Sequence, residues 1–148
     1  MKSGLTLTEI LIAVAIMIVL ASVSWPLLGN WPFKVQASSA KAQLAQMVRL
    51  ARERSVAGLN DKSHGLWLDS ASYTVFQGDN YAARQADYDF KTNLDNGLSL
   101  SWQLAGVGAA NEIVFNRAGV PARYGKIIIT SSAGDTAEID INQLGIVN

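Results

Sequence analysis

The chain has 148 residues, enough for one modest domain, and 12 lysine plus arginine against 12 aspartate plus glutamate leave a formal net charge of zero. That balance supplies no global field for steering a polyanion. Cysteine is absent and His64 is the single histidine, which excludes disulfide scaffolds, zinc ribbons, thiol catalysis and histidine-rich metal cages.

The excess of apolar residues sits at the amino terminus. No charged residue occurs from Ile10 to Phe33. A helix from Leu5 to Leu28, at about 1.5 Å per residue, measures roughly 36 Å. That exceeds the roughly 30 Å hydrocarbon core, so the segment is expected to span a membrane. Lys2 precedes it, and a cation before the first span favours a cytoplasmic amino terminus, with the rest of the chain on the far side of the inner membrane. Three readings of the segment compete. It could be a cleaved signal peptide with Ser22-Val23-Ser24 as the small-residue site, or a plain anchor. The third reading turns on Glu9, a carboxylate at the very start of the apolar run, where charge is costly unless partnered. An anion there also complements the helix dipole. Pro26 removes a backbone donor and is expected to kink or end the helix. Gly29, Asn30 and Pro32 loosen the backbone further, and Trp25 and Trp31 flank the break as interfacial or buried aromatics.

The spacing predicts a second helix over Ala37 to Ala57, with Ala37, Ala40, Leu44, Met47 or Val48, and Ala51 on one face. Lys41, Arg49, Arg52, Glu53 and Arg54 fall mostly off that stripe. Gly58 is the expected stop. Short strands follow. His64 to Leu68 and Tyr73 to Gln77 flank Asp69-Ser70-Ala71-Ser72 as a hairpin. Leu98, Leu100, Trp102 and Leu104 alternate with polar residues as a half-buried strand. Ile113 to Phe115, Lys126 to Thr130 and Ala137 to Ile141 are further strands, and Leu144 to Val147 reads as a last short one. The fold class is α+β, a helix packed on a mostly antiparallel sheet, with no internal repeat.

Few residues suggest chemistry. His64 reads as a structural histidine at a strand edge. Asp79, Asp87, Asp89 and Asp95 lie in a polar stretch whose spacing is not that of an EF-hand, so a solvated loop is expected rather than a calcium site. Arg117, Arg123 and Lys126 are the candidate DNA contacts, a small set against neighbouring acids, Glu112 and Asp135 included. No motif carries a reaction. The chain is expected to be a non-enzyme without cofactor or metal.

Lys2-Ser3-Gly4, then Leu5-Thr6-Leu7-Thr8-Glu9 and the uninterrupted run to Val23, resemble the type IV prepilin signature. In that family a basic leader ends in glycine and a glutamate follows four residues after the new terminus. Leu5 stands where the family usually has phenylalanine. The order Phe115-Asn116, Gly119, Ile127 to Thr130, Gly134, Ile139-Asp140-Ile141, Gly145 resembles the GspH/FimT minor pilins and pseudopilins. The resemblance implies a leader over 1–4, a stem over 5–33 and a head over 34–148. It implies cleavage by a prepilin peptidase between Gly4 and Leu5, and N-methylation of Leu5. The Leu5 amine would then pair with Glu9 of a neighbouring subunit, with Pro26 matching the proline that pilin stems carry. The implied role is a minor subunit of a type IV pilus or a type II secretion pseudopilus, in the tip or priming complex. Its partners would be other pilin or pseudopilin subunits, and its location the inner membrane and then the extracytoplasmic filament. A DNA-receptor pilin and a major pilin of the shaft are the alternatives.

Overall fold

The computed structural model describes residues 6–28 and 31–148, with the backbone alone for 23–28 and 31–34. The chain divides into two compact units, Met1–Pro32 and Phe33–Asn148.

The first unit is a helix, α1, Leu7–Leu28. It starts where it does because Thr6-Leu7-Thr8-Glu9 is a capping box. The Thr6 hydroxyl accepts the Glu9 amide at 3.4 Å, and the Thr6 amide donates back to Glu9 Oε2 at 3.2 Å. The helix runs two residues beyond Pro26.

The second unit begins within α2, Trp31–Val56. The helix starts six residues earlier than the apolar spacing from Ala37 indicates. Pro32 falls in its first turn, where a missing amide costs nothing and the fixed φ suits a helix. Ala37, Ala40, Leu44, Ala45, Val48 and Ala51 are buried at three- and four-residue spacing. Ser55 continues that stripe at 0 % exposure. Its hydroxyl accepts the His64 amide at 2.7 Å and donates to the His64 carbonyl at 3.2 Å, tying the end of the helix to the first strand.

Two antiparallel sheets cover α2, rather than one. β1 (His64–Asp69), β2 (Ser72–Gln77), β3 (Phe90–Asn93) and β5 (Glu112–Phe115) form a sheet in the order β3-β2-β1-β5. β4 (Leu98–Gly106), β6 (Arg123–Ser131) and β7 (Thr136–Ile141) form the other, in the order β4-β6-β7. Leu66, Leu68, Val75, Ile113 and Phe115 of the first sheet and Ile127, Ile129, Ile139 and Ile141 of the second share one core with α2. The hairpin β1–β2 runs from His64↔Gln77 to Asp69↔Ser72, with Ser70 and Ala71 in the turn. Residues 144–147 form no strand. A single bridge, Ile141↔Val147, remains of it, because Asn142 and Gly145 close a tight turn there.

β3 lies inside the stretch read as a solvated loop. The loop before it is held down by aromatic contacts invisible to periodicity. Tyr81 stacks on Trp67 with centroids 4.1 Å apart and meets Phe76 edge-on at 5.4 Å. Arg84 lies 3.8 Å over the Tyr81 ring and donates from Nε to Asp89 at 2.7 Å. Phe76 is thereby fully buried on a sheet face that the main core does not use.

Candidate functional site

The residues of the expected processing site, Gly4 and Leu5, lie outside the described residues. The side chain of Pro26 does too, although its backbone is helical. Glu9 is described and exposed. Its Oε2 takes both bonds from Thr6, one from the amide and one from the hydroxyl at 3.1 Å. Oε1 has no hydrogen-bond partner among the described residues. The sequence alone suggested a dipole role for Glu9. Thr6 three residues earlier was the missed signal, since a threonine followed at that spacing by glutamate defines the reciprocal cap.

Beyond Glu9, α1 carries only apolar and small side chains through Ser22. Leu11, Ile12, Met17, Ile18, Val19 and Leu20 are each 61–63 % exposed. These positions cover all sides of a helix. Among the described residues no helix is long and apolar enough to cross a membrane. The expected span also draws on residues 23–33, whose side chains are not described.

The three candidate DNA contacts do not converge. Arg123 and Lys126 are three residues apart on β6, whose register with β4 is unbroken, so they point to opposite faces. Arg123 sits on the core side. It donates from Nη1 to the Gly108 carbonyl at 2.9 Å and from Nη2 to the Leu104 carbonyl at 2.7 Å. Lys126 pairs with Glu138 at 2.5 Å, and that carboxylate raises its pKa above the ordinary lysine value. Arg117 pairs with Asp61. Each cation therefore has a partner within the chain.

A cleft of about 340 Å³ is lined by Ser63, Asp79, Glu112, Val114, Asn116 and Pro121, among others. Its buried carboxylate is committed to the fold: Glu112 accepts the Tyr81 amide at 2.9 Å and the Ala109 amide at 3.2 Å. Among the described residues no group of three or more histidines or carboxylates is placed to hold a metal. Asp89 is taken up by Arg84. His64 is not at a sheet edge. β1 lies between β2 and β5, and His64 is 2 % exposed. Burial first, then the nearby Arg54, lower its pKa below 6.5.

The expected turns at Gly119 and Gly145 are present, and each is built on an asparagine side chain, a shared construction that the turn residues alone did not indicate. Asn116 Oδ1 accepts the amides of Ala118 and Val120 at 2.9 and 3.0 Å, and Asn142 Oδ1 accepts those of Leu144 and Ile146, both at 2.9 Å. Each turn closes on a glycine in the left-handed region, Gly119 at φ 77 and Gly145 at φ 75. The two turns touch. A Cβ on Gly145 would lie 2.5 Å from the Gly119 carbonyl oxygen, which also accepts Arg52 Nε of α2 at 3.1 Å. Phe115-Asn116-Arg117-Ala118-Gly119 and Ile141-Asn142-Gln143-Leu144-Gly145 were the legible signal.

No family model matches the chain, and no curated protein matches it. Solved structures do. The minor pseudopilin EpsH from the type II secretion system of Vibrio cholerae superposes with a TM-score of 0.59 at 15 % identity, over 76 % of this chain and 94 % of that one. A second structure of EpsH gives a TM-score of 0.58 at 18 % identity, over 78 % and 93 %. The fold is therefore pseudopilin-like: α+β, with antiparallel sheets on a helix.

Proposed function

We propose that this chain is a minor pilin or minor pseudopilin, a structural subunit of a type IV pilus or a type II secretion pseudopilus that acts in its tip or priming complex. The observation that carries the reading is α1. A helix that exposes large apolar side chains on every side is stable only against lipid or against other apolar helices. A filament stem meets both in turn, first in the inner membrane and then among its neighbours. The pseudopilin-like fold of the second unit supports the same reading.

In this proposal a prepilin peptidase cuts between Gly4 and Leu5, and the new amine on Leu5 is methylated. That amine is mostly protonated near neutral pH, since its reference pKa is about 8. In the lone subunit Glu9 caps its own helix through Oε2. Its Oε1 is then available for the Leu5 amine of a neighbour, which offsets the cost of burying either charge and sets the axial register of the stems. Pro26 lies in the same stem. No catalytic role is proposed. The DNA-receptor reading rests on Arg117, Arg123 and Lys126, and their partners within the chain leave it without a supporting observation.

Mass spectrometry of the amino-terminal peptide, on protein from membranes of its native host, tests the proposal. The expected result is a chain that begins at Leu5 with one methyl on its amine. A chain beginning near Trp25 would make residues 1–24 a signal peptide and discard the filament stem. An uncut chain in a host with active prepilin peptidase would leave a plain anchor.

A further inference from the structure

Two sheets present four edges, and an open edge strand is a template for another strand. The chain covers β5 itself, and of β7 it covers the end at 140–142, leaving a short remainder that carries the charged Glu138. Along β5, the Ala122 amide donates to Val114 at 2.8 Å and the Asn116 amide to Val120 at 3.0 Å, with a bridge at Phe115↔Pro121. Along β7, Asp140 and Asn148 exchange both bonds, at 3.3 and 3.0 Å, and the Asn142 amide donates to Ile146 at 3.1 Å. The third edge, β3, spans four residues and carries Lys91.

β4 differs. It is nine residues long and contains no charge and no proline, and its register runs unbroken from Leu98↔Ser131 to Gly106↔Arg123, so it has no bulge. Apart from Arg123, whose Nη2 donates to the outward Leu104 carbonyl at 2.7 Å, it lacks the usual devices that protect an edge. The Leu98 and Leu100 amides donate outward, to Asp95 at 3.1 Å and Ser70 at 2.8 Å. Antiparallel ladders alternate, so these two bonds establish that even-numbered residues of β4 turn their backbone groups away from β6. The Trp102 amide and carbonyl and the Leu104 amide therefore point outward, and among the described residues they have no partner. Ser70 closes the edge at Leu100, and Gly106, at φ 119, leaves extended geometry at the other end. The open stretch is 101–105, with Gln103 at its centre.

We propose that this stretch pairs with its own counterpart in a second copy of the chain, antiparallel about a twofold axis at Gln103. That register pairs the Trp102 amide and carbonyl and the Leu104 amide, and uses the second lone pair of the Leu104 carbonyl beside Arg123 Nη2. Trp102 lies opposite Leu104 of the second copy, and the reverse. Both are half-buried against the core, so the pairs extend an apolar face that already exists. Aromatic–aliphatic pairs of this kind stabilise sheets. Gln103 meets Gln103 on the other face, where two carboxamides can bond to each other. Ser101 meets Ala105. No like charges oppose one another, because residues 98–106 carry none, and this self-complementarity is what favours a second copy over an unrelated strand. The two three-stranded sheets become one continuous sheet. The pairing does not depend on the filament reading, and the amino-terminal mass leaves it untouched.

The absence of cysteine makes a clean test possible. Gln103 would sit at a non-hydrogen-bonded pair, with Cα atoms about 4.5 Å apart, inside the range of roughly 4.4–6.8 Å that a disulfide spans. The full chain in detergent, carrying Gln103→Cys, should form a disulfide dimer under mild oxidation. The same chain with Val107→Cys, a position 82 % exposed just past the strand, should stay largely monomeric and controls for association through α1. Adding Leu104→Pro to Gln103→Cys removes an outward amide without touching the ladder to β6 and should abolish the dimer. Ala105→Lys, at an exposed position, provides a second edge-blocking variant that does not perturb the fold, and should reduce it. Cross-linking of Gln103→Cys no faster than Val107→Cys would overturn the proposal, as would dimers that persist in a folded Leu104→Pro or Ala105→Lys variant.

Discussion

α1 and α2 follow one another along the chain, 22 and 26 residues long. In α2 the apolar positions form a stripe that the sheets bury, and the remaining faces carry lysine, arginine and glutamate. In α1 the apolar residues encircle the helix and stay exposed. A stripe is what one packed neighbour requires, whereas an apolar surface on all sides requires surroundings that are apolar on all sides. Energy stored in α2 is therefore a property of the folded chain, and energy stored in α1 is a property of what surrounds it.

Paired truncations break that comparison most directly. Leu44→Ala should destabilise the folded chain by about 2–5 kcal/mol, because Leu44 is fully buried and its loss leaves a cavity. Leu11→Ala, the same chemical change on α1, should leave the denaturation midpoint in place while weakening lateral association of the helix. Chemical denaturation followed by near-ultraviolet circular dichroism reads both. Equal losses at the two sites would remove the distinction.

A smaller effect sharpens it at the end of α2. Ser55→Ala leaves the buried His64 amide without its acceptor, a cost of about 1–3 kcal/mol. The same denaturation measurement should show it, and a neutral result would mean that the helix–strand tie is not needed.

The smallest effect is a dependence on pH. The folded-state pKa of His64 lies below 6.5. Above pH 6.5 the side chain is neutral whether the chain is folded or not, and its contribution is fully present. As the pH falls from 6.5 towards the lowered value, the unfolded chain takes up a proton that the folded chain does not, so stability falls. Thermal melts across that window should show the decline, and His64→Asn should flatten it. A slope that persists in the variant would assign the effect to other groups.

Much of the fold was legible. The α+β class, the β1–β2 hairpin, β4, β5, β6 and β7 follow from alternation and turn residues, and the α2 stripe from three- and four-residue spacing. β3 was not legible, because Phe90-Lys91-Thr92-Asn93 has no alternation to speak of and is a strand only through its pairing with β2. The loop before it looked solvated because Trp67, Phe76, Tyr81 and Arg84 are scattered in sequence and meet only in space. The apolar run Leu144 to Val147 reads as a strand in hydropathy, but the Asn142 side chain, by accepting the Leu144 and Ile146 amides, curls it into a turn that leaves one bridge. The three candidate cations are close in sequence but are separated by strand alternation and held by partners within the chain, Asp61 for Arg117, Glu138 for Lys126 and two backbone carbonyls for Arg123.

The sequence by itself determined the periodicities: a helix apolar on every side, a helix apolar on one, and strands that alternate. These are local properties, because the spacing of side chains along a regular backbone is set by 3.6 and 2.0 residues per turn. Only the tertiary structure decided that the strands form two sheets, and that β5 and the end of β7 are covered while β4 keeps an open stretch. An edge is open or closed according to where distant segments such as 120–122 and 146–148 come to rest, and that placement is decided by packing against a shared core.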